Sequence, residues 1–270
     1  MNWARIMAPL AGGAGDSEAL DAAVAIASAF DAELAAVHAP ADIADLMPWM
    51  GEGFMGGVQI TAMDSLKEAA AEGKRSARAA VEACGYAKAR LISLETPVWA
   101  GLSMEGRLSD LVVFTNDAAR GRGPLAEAFQ QMVADEQRPT LVARPGLTPD
   151  GVAVIAWDGG KEASRAARTA LPLLEQASRV VILCAPSASS RSFDGRRLQA
   201  FMSDRGVNAE LEILPESGDA AHILLGAARR LGAGLLVAGA FGHPRLQEYI
   251  FGGTTRTLLN NDGPSLFLSH

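Results

Sequence analysis

The chain has 270 residues, which at roughly 100–200 residues per domain points to one large domain or two modest ones. Hydrophobic residues make up 49% and charged residues 20%, so there is apolar surface to offset ordering entropy, and a wholly disordered chain is excluded. The 24 Lys and Arg against 31 Asp and Glu leave a formal charge of -7 with no basic block, which argues against a nucleic-acid partner.

In chain order, Arg5–Pro40 reads as a short apolar run, a Gly12-Gly13 turn, an Ala-rich helical stretch and a second apolar run ending in Pro. Asp42–Gly57 follows, rich in Met, Gly and Trp. It reads as a flap or as a surface for another subunit, the second being favoured because exposed apolar patches usually have partners. Between Pro97 and Asp110 the residues GLSMEGRLS suggest a shortened or lost helix. A helix at about 124–136 and a last strand around 140–143 close this part. Arg144–Gly151 has the Pro and Gly content of a domain boundary.

From Val152 the pattern begins again. Gly159-Gly160 fall opposite Gly12-Gly13, Ser164 opposite Ser17, Gly234–Gly239 opposite Asp110–Thr115, and Gly263-Pro-Ser-Leu-Phe-Leu opposite Arg138-Pro-Thr-Leu-Val-Ala. The period is that of a domain, so the chain reads as two tandem copies, 1–146 and 151–270, and not as a solenoid. In the second copy strands are expected at about 152–157, 179–185, 208–214, 234–239 and 264–269. Helices are expected at about 161–176, 194–205, 219–232 and 245–260, with Pro172 kinking the first or marking its last turn. Alternating elements of this length imply an α/β fold with an open parallel sheet in each copy. The last strands of the two copies, around 140–143 and 265–268, are expected to pair and make an intramolecular pseudo-dimer.

Cys84 and Cys184 stand alone in apolar surroundings, so buried free thiols are expected, with neither a disulfide nor a metal site. The N-terminus lacks the pattern of a signal peptide, and the apolar run Gly232–Phe241 is too short to cross a membrane, so a cytoplasmic protein without a membrane partner is expected.

Ligands of open parallel sheets bind beyond the carboxyl ends of the strands. After the first strand of the second copy come Ala156, Trp157, Asp158 and two glycines. Asp158 either caps the turn and helix that follow or accepts a hydrogen bond from a ribose or base. After the fourth strand comes Gly239-Ala-Phe-Gly242-His243, then Gly252-Gly253-Thr254-Thr255-Arg256 at a helix start. Free amides there, beside small residues and hydroxyls, suit an anion, while the bland alternative is a loop and a helix capped by Thr254. His243 is either a phosphate neighbour or an exposed loop residue. Arg245 and Arg256 are phosphate neighbours or surface ion-pair partners.

The spacing Gly239-x2-Gly242-x9-Gly252 between strand and helix, with Val154-Ile-Ala-Trp-Asp158-Gly-Gly, resembles the nucleotide-binding pattern of tandem bacterial members of the universal stress protein family. The likeness covers nearly all of 152–270 and, more weakly, 4–145. It implies two Rossmann-like domains of the adenine nucleotide alpha hydrolase type. It also implies an adenine nucleotide such as ATP, with or without magnesium, in the second. On that reading Asp158 faces ribose and adenine, with Ala156 and Trp157 before it as further nucleotide-binding candidates, the backbone near Ala185 contacts adenine, and Gly239 and Gly242 let the loop fold around ribose and phosphates. Gly252, Gly253, Thr254 and Thr255 then hold the phosphates, with His243 close by. The chain departs from the family in carrying Gly253 where Ser or Thr usually follows the third glycine, and Thr254 and Thr255 are the candidates to replace that contact. The first copy has Ala11 opposite Asp158 and Thr115-Asn-Asp-Ala118 opposite Gly239-x2-Gly242, and is expected not to bind ATP.

No Gly-x-Ser-x-Gly elbow, His-Glu-x-x-His or Gly-x4-Gly-Lys-[Ser/Thr] loop occurs, so no catalytic residue is assigned and at most weak ATP hydrolysis is expected. Two functions stand against each other: a stress-response protein regulated by an adenine nucleotide, and a nucleotide-free interaction module acting through its dimer surfaces, as a homodimer or with other proteins.

Overall fold

The computed structural model describes residues 2–40, 57–95, 98–184, 194–215, 218–240 and 253–270. By its contacts the chain divides into two units, Ala4–Phe129 and the first residues through Trp3 with Gln130–His270.

In the Ala4–Phe129 unit, β1 (Arg5–Leu10), β2 (Glu33–His38), β3 (Ala89–Ser93) and β4 (Leu111–Phe114) form a parallel sheet in the order β3-β2-β1-β4. The Ile6–Met7 and Leu111–Phe114 segments have no exposure, as strands covered on both faces require. Helix α1 (Asp16–Phe30) buries Ala19, Ala23, Ile26, Ala27 and Phe30, a helical stripe whose small members let it lie close to the sheet. Its end is closed by Asp31 in the left-handed region and by the Tyr86 hydroxyl, which donates to the Ala27 and Ala32 carbonyls at 3.1 and 2.6 Å. The Asp110 carboxylate accepts from the Ala4 and Arg5 amides at 2.7 and 3.0 Å, which sets the start of β4 beside β1. Helix α2 (Gly57–Ala83) leads to β3, α3 (Val98–Arg107) to β4, and the short α4 (Asn116–Ala119) to α5 (Ala126–Ala134) at the unit boundary.

Contrary to expectation, the helix between Pro97 and Asp110 is nearly full length: α3 has 10 residues against 11 in its counterpart of the second copy. Its Gly101, a helix-weakening residue in sequence terms, makes room for Leu94, whose Cδ2 would lie 2.7 Å from a Cβ there.

In the second unit β6 (Val152–Trp157), β7 (Arg179–Cys184), β8 (Ala209–Ile213), β9 (Leu235–Gly239) and β10 (Ser265–Ser269) run parallel in the order β10-β9-β6-β7-β8. β5 (Thr140–Val142), from the end of the first sequence copy, lies antiparallel to β10 with Val142 opposite Leu266 and Thr140 opposite Leu268. Trp3 stacks on Phe267 at 6.4 Å between ring centres, and is itself buried.

The expected single helix at 161–176 is two, α6 (Lys161–Thr169) and α7 (Leu171–Gln176). Pro172 stands in the first turn of α7, where its missing N–H costs nothing, so it starts a segment and does not end one. Helices α8 (Gly195–Ser203), α9 (Ala220–Arg230) and α10 (Gly253–Asn260) complete the unit, α8 and α9 being capped by the Asp194 and Asp219 carboxylates. Both cysteines are free, as expected, but half-buried. Burial pushes the Cys184 thiol up to about 11, so it is protonated at neutral pH.

Candidate functional site

The second unit has its switch of strand order between the parallel β6 and β9: from β6 the chain moves to β7 and β8, from β9 to β10 on the other side. The crevice of such a sheet opens beyond the carboxyl ends of those two strands. Trp157 ends β6 and Gly239 ends β9, so the two sequence segments singled out for ligand binding meet there.

Each residue has a local reason to be where it is. Asp158 is exposed, and its Oδ1 accepts from the Gly160 amide at 2.8 Å. The carboxylate thus braces the turn into α6, whose own N-cap, Gly160, has no side chain to give. Its other oxygen remains open to solvent or ligand. Ser164 donates to the Gly160 carbonyl at 2.9 Å, tying the same turn to the helix. Trp157 is half-buried, and its Nε1–H meets no acceptor among the described residues. A buried donor left unpaired is costly, so this indole N–H at the end of β6 is a polar group still in want of an acceptor. Ala156 lies one residue deeper, opposite Leu183 of β7.

Gly239 has a packing reason that the sequence does not reveal. A Cβ at this position would lie 2.5 Å from the Ala163 amide nitrogen and 2.7 Å from the Glu162 Cβ. The end of β9 therefore touches the first turn of α6 backbone to backbone, which only glycine allows. Glu162, 7% exposed, fills that first turn, with Lys161 Nζ 3.3 Å from its Oε1. A buried carboxylate there suits the helix dipole and repels phosphate.

The N-terminus of α10 is different. Its first turn carries no acidic residue, Gly253 and Thr254 are exposed, Thr255 is 6% exposed, and Arg256 is exposed. Because α10 connects β9 to the parallel β10, its N-terminus stands at the carboxyl ends of the strands, with free amides directed there. Of the two threonine hydroxyls, that of Thr254 is the accessible one. Ala185, Gly242, His243, Arg245 and Gly252, with most of the Asp42–Gly57 segment, lie outside the described residues. Among the described residues no three His, Cys, Asp or Glu side chains converge as a metal site.

The switch point of the first unit, between β1 and β4, is arranged otherwise. There the Asp16 carboxylate turns back and accepts from the Ala11, Gly12 and Gly13 amides at 3.0, 2.7 and 3.2 Å. Thr115, opposite Gly239 in the repeat, spends its hydroxyl accepting from the Ala118 amide at 3.2 Å. In the sequence Ala11 stands out by its contrast with Asp158, whereas Asp16 looks like an ordinary acidic residue in a first turn. The signal was there: the repeat places Ala163 opposite Asp16, so one copy has an acid where the other cannot.

A universal stress protein from Archaeoglobus fulgidus DSM 4304 superimposes at a TM-score of 0.71, with 16% identity over 98% of this chain and 95% of that one. The fold is that of the universal stress proteins. A functionally unknown protein from Pseudomonas aeruginosa PAO1 has the same arrangement, at a TM-score of 0.60 and 15% identity over 99% of this chain and 92% of that one. No protein-family model and no curated protein matches the chain. The likeness to a universal stress protein over nearly the full length accords with the two-copy α/β reading of the sequence. No helix among the described residues is long and apolar enough to cross a membrane.

Proposed function

We propose that the chain is a stress-response protein that binds an adenine nucleotide, ATP or a relative, in its second copy, with a regulatory role and at most slow hydrolysis. The observation that carries this is the unspent polarity at the β6–β9 switch point: a Trp157 Nε1–H and an Asp158 oxygen without partners among the described residues, and an acid-free α10 N-terminus. These fit a ligand with a polar heterocycle or ribose at one end and an anion at the other. Trp157 and Asp158 would hold base and ribose, with Ala156 and the Ala185 backbone bounding the base, and Gly239 and Gly242 admitting the sugar. The amides from Gly252 to Thr255, with the Thr254 hydroxyl and His243, would take the phosphates, while Glu162 keeps them away from α6. Any magnesium would come with the nucleotide phosphates and supply charge neutralisation there. The first copy, with its switch point already satisfied, would act by completing the pseudo-dimer, and the protein would work in the cytoplasm.

The second reading is a nucleotide-free interaction module. Two observations favour it: Gly239 is required by packing against α6 whatever binds, and Met104 and Leu108, one turn apart, are 58% and 70% exposed. Titration with ATP, AMP and adenosine separates the two. The nucleotide reading expects saturable binding weakened about tenfold by Trp157→Phe, which keeps the ring and removes the donor. It also expects Thr254→Ala to weaken ATP but not adenosine. Wild-type protein that binds none of the three at millimolar concentration contradicts it.

A further inference from the structure

In the Ala4–Phe129 unit three successive backbone amides converge on one carboxylate. Ala11 N–H donates to Asp16 Oδ1, and Gly12 and Gly13 N–H donate to Oδ2, at 3.0, 2.7 and 3.2 Å. Gly12 has φ +81°, the left-handed conformation that turns consecutive N–H groups inward to make a concave anion cradle. Asp16 is not acting as a surface cap. Gly15 holds the N-cap position without a side-chain bond, and Asp16 reaches backwards from the first helical residue at 4% exposure.

A second polar group lies beside the same turn. His38, at the end of β2, is 2% exposed, and its Nε2 has no hydrogen-bond partner among the described residues. A Cβ on Gly73 of α2 would lie 3.1 Å from that Nε2, 3.3 Å from the Ala11 carbonyl oxygen and 3.7 Å from the Gly12 Cα. Gly73 thus lies between the imidazole and the Ala11–Gly12 turn, whose amides on their other side hold Asp16. The other copy has none of this. Ala163 stands opposite Asp16, and Asp158, the carboxylate of that loop, accepts among the described residues from the Gly160 amide.

We propose that residues Ala11, Gly12 and Gly13 with His38 form an oxyanion-binding site in the first unit, sized for a small planar carboxylate, and that Asp16 is its built-in occupant. The first copy is self-liganded: the charge that a bound ligand would bring is covalently part of the chain, and α2 closes over it. The occupant the turn already holds is a carboxylate, so a small planar oxyanion is expected in preference to the bulkier, tetrahedral phosphate.

Chemical rescue tests this on the full chain. Asp16→Ala removes the occupant and leaves the cradle. Its melting temperature is expected to fall and then to rise saturably by several degrees with formate or acetate, relative to chloride at equal ionic strength. Phosphate should give no such rise, and the wild type should respond to none of the three. No response of the variant to formate or acetate, an equal response of the wild type, or rescue by phosphate alone would overturn the proposal. Should Asp16→Ala not fold, the wild type decides by NMR. The Ala11, Gly12 and Gly13 amide protons should shift together with the titration of the Asp16 carboxyl, and amides that ignore that titration would overturn it.

Discussion

Gly12 and Gly73 meet backbone to backbone: a Cβ on Gly12 would lie 2.3 Å from the Gly73 Cα. Two glycines distant in sequence thus let a long helix lie directly on the first βα turn. Gly12 is constrained twice, by this contact and by its φ of +81°. Gly12→Ala is expected to cost about 2–4 kcal/mol, from strain and clash together. Gly73→Ala is expected to cost far less, because helix propensity returns about 1 kcal/mol and the imidazole edge can yield. Urea denaturation of the two variants checks the order.

Gly239→Ala is expected to destabilise the second unit by about 1–3 kcal/mol with no ligand present, since the new methyl meets the Ala163 amide at 2.5 Å. The measurement is again urea unfolding, followed through the tryptophans. A loss of nucleotide binding in this variant would therefore report on the fold before it reported on a ligand contact.

Arg144 shows how a residue in a Pro- and Gly-rich linker can be an anchor. It is 4% exposed and donates to the Leu258, Leu259 and Pro264 carbonyls at 2.9, 3.1 and 3.2 Å, closing the C-terminal turn of α10. Its amide donates to the Ser265 hydroxyl at 3.0 Å. Arg144→Met should cost about 2–4 kcal/mol, because buried carbonyls lose their donors. Arg144→Lys should recover only part, as an ammonium cannot span all three acceptors. Thermal melts of the two variants test this.

The pH dependence of stability has a definite sign. Burial pushes the His38 imidazole below its ordinary value, against the attraction of Asp16 and with help from Lys74. The unfolded chain then binds the proton more readily than the folded one, so stability falls as pH drops below about 6.5 and levels off below the folded value. Burial raises the Asp16 carboxyl, against its three amides and His38. That effect has the opposite sign: between the ordinary aspartate value and the raised one, the folded state holds the proton better. Denaturant titrations between pH 4 and pH 8 should therefore show the His38 slope, and His38→Gln should flatten it.

The strands were legible because each copy buries near-continuous Val, Ile and Leu runs, and Val154–Ile155 and Val180–Leu183 leave no ambiguity of period. The switch point was legible because Asp158 and Gly239 follow two of those runs. What the sequence concealed is long-range. Gly239 is glycine for the sake of α6, Gly12 for the sake of Gly73, and Asp16 is a ligand of amides that precede it. Helix α3 was underestimated because Gly101 and Gly106 lower its propensity, while Leu94 packed over Gly101 repays them with tertiary contact.

Each chain has one switch point whose amides are taken up by Asp16 and one whose polar groups lack partners among the described residues. Denaturing freshly purified protein and weighing the released small molecules tests that most directly, followed by titration of the emptied protein with ATP. The expected result is an adenine nucleotide, or saturable ATP binding, at one per chain and weakened by Trp157→Phe. No released nucleotide, together with no binding at millimolar ATP and magnesium, would contradict it.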